Sequence, residues 1–92
     1  MPRSWKLDIG CGRRKRPGHV GLDLVRVSDA DVLADLECGL PFRDGVFDEI
    51  WMNHVFEHLD RPVAVTEEIW RVCRPGARVE VRGPHFSSPY LV

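Results

Sequence analysis

The stretch Leu7-Asp8-Ile9-Gly10-Cys11-Gly12 decides the fold of this 92-residue chain. A short apolar strand runs into a carboxylate, and two glycines follow almost at once. Because glycine lacks a Cβ atom, the backbone can bend sharply there and a ligand can approach it closely. The stretch therefore predicts a strand and a ligand-binding turn at the carboxyl end of a parallel sheet. A Gly-x-Gly pair alone is weak evidence, since many tight turns contain one.

Two further apolar runs also end in an acid, Gly21-Leu22-Asp23-Leu24 and Val32-Leu33-Ala34-Asp35. In an open α/β sheet, ligands lie beyond the carboxyl ends of the strands. An acid after the second strand can accept hydrogen bonds from ribose hydroxyls, and an acid after the third can accept from the exocyclic amine of adenine. Either aspartate could instead cap a turn, as aspartate often does. Their combination with the glycine turn favours the binding interpretation.

The hydrophobic pattern predicts five strands and one helix, with the strands at about 5–9, 20–24, 32–36, 47–52 and 77–82. The helix is predicted over residues 61–73, with Asp60 as its N-cap and Arg74-Pro75-Gly76 at its end. The connection from Gly10 to His19 is too short for a full crossover helix. The fifth strand alternates apolar and charged residues, which predicts one wet face. With one helix for two sheet faces, we expect marginal stability and self-association.

The order of these pieces resembles the class I S-adenosylmethionine-dependent methyltransferases, in a short or truncated, type 11-like form. The resemblance covers roughly residues 5–84 and includes Leu40 to Ile50, Asn53 to Leu59 and Glu68 to Ala77. It implies an α/β fold with a Rossmann-like, doubly wound parallel sheet of about five strands, few helices and none of the family's C-terminal strands. We expect a single truncated cofactor-binding domain over residues 1–92, which is either a piece of a longer protein or a minimal form that pairs with a partner.

The resemblance also implies S-adenosylmethionine as cofactor and S-adenosylhomocysteine as product, and it suggests which residues contact them. Asp8 would order the glycine turn, and Asp23 would bind the ribose hydroxyls. The other contacts would come from Gly10, Cys11 and Gly12 at the methionine part, from Asp35 and Leu36 at the adenine, and from Asn53 and His54, which would close the pocket. His85 is the candidate general base, because the pKa of histidine lies near neutrality; the alternative is an exposed loop histidine.

Three functions are compatible with this pattern. The first is methyl transfer to a small-molecule acceptor, and the second is a binding or scaffold module that kept the fold and lost catalysis. The third, a nicotinamide-dependent dehydrogenase, is disfavoured because the third glycine is absent. Asp23 also follows Gly10 by only 13 residues, where about 20 are usual.

The composition of the chain limits the kinds of partner that it can be expected to bind. The net charge of −1 argues against nucleic-acid binding driven by overall basicity, and no apolar run approaches the length of a membrane span. The three cysteines form no Cys-x-x-Cys pair, which indicates reduced thiols in a cytoplasmic protein. We predict that Trp5, Trp51 and Trp70 belong to the core or to an interface.

Two clusters of charged or metal-binding residues leave alternatives open. Arg13-Arg14-Lys15-Arg16 could meet an anionic substrate or form a solvated loop. His54-Val55-Phe56-Glu57-His58 matches a zinc-peptidase signature, but a new helix is predicted to begin just after it. Because no long helix carries the two histidines on one face, we predict no metal site.

Overall fold

The computed structural model of the chain describes residues 4–24, 26, 29–83 and 86–91, the last six by their backbone alone. The described residues form one six-stranded sheet in the order β3-β2-β1-β4-β5-β6. Its strands are β1 (Lys6–Ile9), β2 (Val20–Asp23), β3 (Val32–Leu33), β4 (Phe47–Asn53), β5 (Cys73–Gly83) and β6 (Phe86–Leu91). The first five strands are parallel, which confirms the predicted Rossmann-like sheet.

The sixth strand is a correction to the sequence prediction, which ended the sheet at the fifth. β6 runs antiparallel to β5 and places Pro89 opposite Glu80. Two serines and a proline give this segment little of the alternation that marks a strand. Proline is tolerated there because β6 lies at the edge of the sheet, where its missing N–H costs no ladder bond.

The single α-helix of the described residues, α1 (Pro62–Val72), covers one face of the sheet. Val65, Ile69 and Val72 are buried along one side of α1, as the predicted apolar stripe requires. They pack into a core with strand residues from β1, β2, β4 and β5. The predicted N-cap, Asp60, is wrong by one residue. Arg61 occupies the cap position without a side-chain capping bond.

The two faces of the sheet differ sharply. In register across β1, β4 and β5, Leu7, Ile50 and Val79 are buried in the core that contains α1. The residues that follow them point to the opposite face, because side chains alternate along a strand; they are Asp8, Trp51 and Glu80. Residues 10–19 form turns where a crossover helix is usual. In the described chain, therefore, the second face is polar and carries no helix.

The predicted wet face of β5 is confirmed for Arg78 and Arg82, which are exposed, but not for Glu80. Glu80 is only 5% exposed. Arg78 and Arg82 contact its two carboxylate oxygens at 2.5 and 3.1 Å and hold the pKa of Glu80 below its usual range. Paired charges thus replace the apolar side chains that a buried parallel strand usually has.

The predicted Pro-Gly turn lies inside β5. The strand pairs Cys73 with Phe47 and next pairs Arg78 with Glu49, so residues 74–77 bulge out of the ladder. Gly76 takes a φ of 85° in this bulge, a conformation that glycine adopts without steric cost.

A cluster around Arg71 fastens the segment before β4 to α1. Its guanidinium donates to the carboxylates of Glu68 and Asp44 and to the carbonyl oxygens of Leu40 and Phe42. Glu68 also accepts from the Leu40 N–H at 2.8 Å. The hydrogen bonds from Arg71 and Leu40 lower the pKa of Glu68 to about 2.

Two of the tryptophans lie outside the core. Trp5 is 40% exposed and Trp70 is 63% exposed, which leaves the interface alternative of the prediction for both. Trp51 is half-buried on the polar face.

None of the helices in the described ranges has the length and apolar character needed to cross a bilayer.

Candidate functional site

Three backbone N–H groups of the glycine turn after β1 donate hydrogen bonds to residues of β2. The N–H groups of Gly10 and Cys11 donate to the Leu22 carbonyl at 2.7 and 3.3 Å. The N–H of Gly12 donates to Oδ2 of Asp23 at 2.8 Å. With its donors used in this way, the turn has carbonyl oxygens to present to a ligand.

Asp8 fixes the far end of the same loop. Its carboxylate is buried and accepts from the backbone N–H of Arg16 at 3.0 Å. A buried carboxylate needs such a donor, because an unpaired one would carry a large desolvation cost. Asp8 therefore ties the end of the loop to β1, and its predicted role in ordering the glycine turn for the cofactor stays a prediction.

The two glycines have different surroundings. Both have a positive φ, 68° at Gly10 and 59° at Gly12. A Cβ atom on Gly10 would lie 2.3 Å from Cγ2 of Val55, so the segment after β4 packs directly on this residue. A Cβ atom on Gly12 would meet no atom of the described residues within 4 Å. Gly12 therefore borders open space at the edge of the sheet.

Asp23 and Asp35 each follow a strand of that edge, and each accepts a backbone N–H. Asp35 is the N-cap of a short 3-10 turn, Leu36–Cys38, and its Oδ1 accepts from Glu37 N at 2.9 Å. Both aspartates thus stabilise a turn, which is the alternative to cofactor binding that the sequence allows for them. Capping does not exclude binding, because a carboxylate offers about four acceptor positions.

Several carboxylates lie near the glycine turn. The pKa of the Cys11 thiol is raised by burial first, and then by the carboxylates of Asp8, Asp23 and Asp29. Each carboxylate disfavours the thiolate and for the same reason favours a cation at this place. Asp29 reaches the turn because its N–H donates to the Gly12 carbonyl at 2.6 Å.

Asn53 and His54 lie at the end of β4 and are exposed. His54 has a φ of 57° and donates its N–H to the Arg82 carbonyl at 2.6 Å. Its ring Nδ1 lies 3.6 Å from Oε2 of Glu57. Phe56–His58 forms one 3-10 turn, so His54 and His58 do not share a face of a long helix.

The other two predicted site residues are Leu36 and His85. Leu36 is buried in the core, so only its backbone lies at the edge of the sheet. His85 lies outside the described residues. Leu24, which follows Asp23 and was not a predicted site residue, is 67% exposed at the same edge.

These residues fit S-adenosylmethionine in the chemistry of their donors and acceptors. Apart from its carboxylate, the cofactor carries a sulfonium, an ammonium, ribose hydroxyls and an adenine amine, which are cationic or hydrogen-bond donors. The edge offers carboxylates and turn carbonyls. Gly12 has the open space that a close ligand requires. A pyrophosphate would fit poorly at this turn, because the N–H groups of the turn already donate to Leu22 and Asp23.

Comparisons with known proteins agree with this geometry. The family model described as "Methyltransferase domain" matches residues 14–81, well over half of the chain. A search of the curated proteins finds no significant match.

Several solved structures share the fold. A methyltransferase dependent on S-adenosylmethionine from Thermotoga maritima is 22% identical, with a TM-score of 0.73 over 88% of this chain and 44% of its own. One from Aquifex aeolicus is 21% identical, with a TM-score of 0.67 over 85% of this chain and 55% of its own. The cyclase SpnF is 23% identical, with a TM-score of 0.74 over 85% of this chain and 38% of its own. The chain therefore spans about half or less of the length of these structures.

Proposed function

Since this chain belongs to the methyltransferase-domain family, we propose that it binds S-adenosylmethionine at the carboxyl edge of β1, β2 and β4 and transfers the methyl group to a small-molecule acceptor. The observation that carries the proposal is the geometry of the glycine turn, whose N–H groups are used within the sheet and which has carboxylates of Asp8, Asp23 and Asp29 close by. Carboxylates at this place favour a sulfonium over the pyrophosphate of a dinucleotide. This favours methyl transfer over hydride transfer.

The proposed roles follow from position. Carbonyl oxygens of Gly10 and Cys11 would bind the ammonium of the methionine part, Asp23 the ribose hydroxyls, and Asp35 the adenine amine. Asn53 and His54, at the end of β4, would close the pocket above Gly12. The cofactor supplies an electrophilic methyl group on sulfur. The chain's own work is to hold an acceptor in line with that group and to exclude water.

His85 is the proposed general base in this scheme. It follows β5 in the sequence, in the region from which the resemblance implies acceptor contacts. A neutral imidazole would take the proton that the acceptor loses as its nucleophile attacks. If His85 is the base, the rate of methyl transfer should decrease when the pH is lowered below the pKa of this histidine. His85→Gln should abolish the transfer and leave cofactor binding unchanged.

Isothermal titration tests the binding step directly. S-adenosylmethionine and S-adenosylhomocysteine are titrated separately into the purified chain, with NAD as the comparison. We expect saturable binding of both sulfur ligands, and tighter binding of each of them than of NAD. Preference for NAD, or no binding by a chain with a folded circular dichroism spectrum, would contradict the proposal.

The length of the chain supports a second candidate, a module that binds through this fold without catalysis. The match covers only 38% to 55% of the solved structures, and parts of them beyond the match could supply an acceptor pocket. Incubation with S-adenosylmethionine labelled in its methyl group and a panel of small acceptors separates the two. Label in any acceptor supports the enzyme, and cofactor binding without transfer supports the module.

We further propose that the chain is cytoplasmic and associates with itself. The cysteines Cys11, Cys38 and Cys73 are all free thiols, as expected in a reducing compartment. Val63 and Trp70 are both largely exposed and lie seven residues apart on α1, which places them on one side of the helix. Sedimentation equilibrium checks the mass in solution. A monomer at all concentrations would remove the proposed self-association.

A further inference from the structure

The polar face of the sheet, opposite α1, holds an arginine in a fixed position. The guanidinium of Arg16 lies 3.5 Å from the centre of the Trp51 ring, a close cation–π contact. The backbone N–H of the same residue donates to buried Asp8. Both the main chain and the side chain of Arg16 are therefore anchored on the sheet.

The hydrogen-bonding groups of this side chain are not used by the protein. Within the described ranges, the guanidinium of Arg16 makes neither a hydrogen bond nor an ion pair. Its neighbours differ, since Lys15 pairs with Asp31 at 3.0 Å and Arg82 pairs with Glu80 at 3.1 Å. An arginine stacked on an aromatic ring keeps its planar fork of five N–H donors ready for an oxyanion.

More positive charge lies in the same loop. Arg13 and Arg14 are exposed, and neither has a side-chain partner in the part of the chain that the structure describes. Trp51 precedes Asn53, the last residue of β4, by two positions. Two strand residues span about 7 Å. An anion on Arg16 would thus lie within a small molecule's length of the proposed cofactor edge.

We infer that Arg16, supported by Arg13 and Arg14, binds a phosphate group of the methyl acceptor. Three unpaired guanidinium groups favour a doubly charged anion over a single carboxylate, and the fork of arginine matches phosphate oxygens. The phosphate could belong to a small phosphorylated molecule or to a polynucleotide. The assignment to an acceptor rests on the proposed methyl transfer, but the phosphate site itself does not.

Calorimetry with inorganic pyrophosphate at constant ionic strength tests the site in the full chain. We expect saturable binding that Arg16→Ala weakens about tenfold, the equivalent of one lost charge-assisted bond. Arg16→Lys keeps the positive charge but loses the planar fork of donors, so its affinity for pyrophosphate should lie between those of the parent and of Arg16→Ala. Arg43→Ala is the matched control. Its loop lies against α1, since Arg71 binds the flanking Phe42 and Asp44, and pyrophosphate binding should stay unchanged.

Three comparisons decide the outcome. Equal losses in Arg16→Ala and Arg43→Ala, or no loss in Arg16→Ala, would overturn the site, because binding would then follow net charge alone. The source of the phosphate is tested with a twelve-nucleotide single-stranded RNA and with glucose 6-phosphate, each in the parent and in Arg16→Ala. If the RNA binds more strongly and depends on Arg16, the phosphate belongs to a polynucleotide. If glucose 6-phosphate binds more strongly and depends on Arg16, it belongs to a small molecule. Unchanged S-adenosylhomocysteine binding in Arg16→Ala separates failure of this site from failure of the cofactor site. If Arg16→Ala fails to fold, Arg16→Lys against Arg43→Lys carries the same test.

Discussion

The backbone N–H of Gly12 donates to Oδ2 of Asp23 at 2.8 Å and thereby joins the glycine turn of β1 to the end of β2. One carboxylate thus has a structural role in the turn and a proposed binding role toward ribose. The two roles can be separated because asparagine keeps an acceptor oxygen at the same place and loses the charge.

We predict that Asp23→Asn retains the fold and binds S-adenosylmethionine at least tenfold more weakly, because one of the carboxylates near the sulfonium is removed. S-adenosylhomocysteine has a neutral sulfur in place of the sulfonium, so its affinity should fall less. Asp23→Ala should in addition lose about 1 kcal/mol of stability with the Gly12 hydrogen bond. Titration of both ligands and urea unfolding measure these effects. An equal loss for the two ligands would show that charge at this edge is not what selects the cofactor.

The two glycines of the turn should respond differently to alanine. Gly10→Ala forces a Cβ atom to within 2.3 Å of Val55 at a positive φ, and we expect a loss of about 3 kcal/mol in unfolding free energy. Gly12→Ala has the positive φ without the clash, so about 1 kcal/mol is expected. Gly12→Ala should nevertheless lose cofactor binding, because its methyl group enters the proposed pocket.

Denaturant unfolding and S-adenosylhomocysteine titration test this pair together. The double variant Gly10→Ala/Val55→Ala is the control for the clash, and it should recover part of the stability lost in Gly10→Ala. A Gly12→Ala variant that binds the cofactor as tightly as the parent would place the pocket elsewhere.

Local signals in the sequence were sufficient for the parallel sheet and the glycine turn. Leu7 and Ile9 alternate with a carboxylate that has to be buried beside a tight turn, and one helix carries Val65, Ile69 and Val72 on one side. Such patterns span a few residues and reflect direct backbone requirements. The comparison with the methyltransferase family confirms the fold that they predict.

The polar sheet face could not be predicted in the same way. Its central contact joins Arg16 to Trp51, 35 positions apart in the chain, and depends on the register that sets Asp8 beside Trp51. The burial of Glu80 depends on two arginines of its own strand folding back over it. β6 was missed because an edge strand can include Pro89 without an apolar pattern. These features arise from tertiary packing rather than from local propensity.

The Arg71 cluster should make stability depend on acidic pH. The pKa of Glu68 is lowered to about 2 in the folded chain, below the ordinary value of 4.5 for the unfolded one. Between these values the unfolded state binds the proton and the folded state does not. The contribution of Glu68 is therefore complete above about pH 5 and declines as the pH falls towards 2.

Glu68→Gln should lower the unfolding free energy at pH 7 and flatten its decline between pH 5 and 3. Because Glu68 and Arg71 are partly exposed, screening by solvent keeps the effect modest. Glu67→Gln, an exposed neighbour on the same helix, is the control and should retain the pH profile of the parent. Parallel profiles for all three proteins would show that the cluster does not contribute in this range.

Asp35 offers the sharpest test of where the adenine lies. Its Oδ1 caps the 3-10 turn by accepting from Glu37 N, so Asp35→Asn can keep the cap with its amide oxygen and turn an NH2 group towards the ligand. We expect Asp35→Asn to retain stability and to weaken S-adenosylhomocysteine about tenfold, since an NH2 group cannot accept from the adenine amine. Asp35→Ala should lose the cap as well, at about 1 kcal/mol. The inosine analogue of S-adenosylhomocysteine has a carbonyl in place of that amine, and its affinity should rise in Asp35→Asn. If both ligands lose affinity equally, Asp35 acts only through the turn that it caps, and the adenine is bound by other groups.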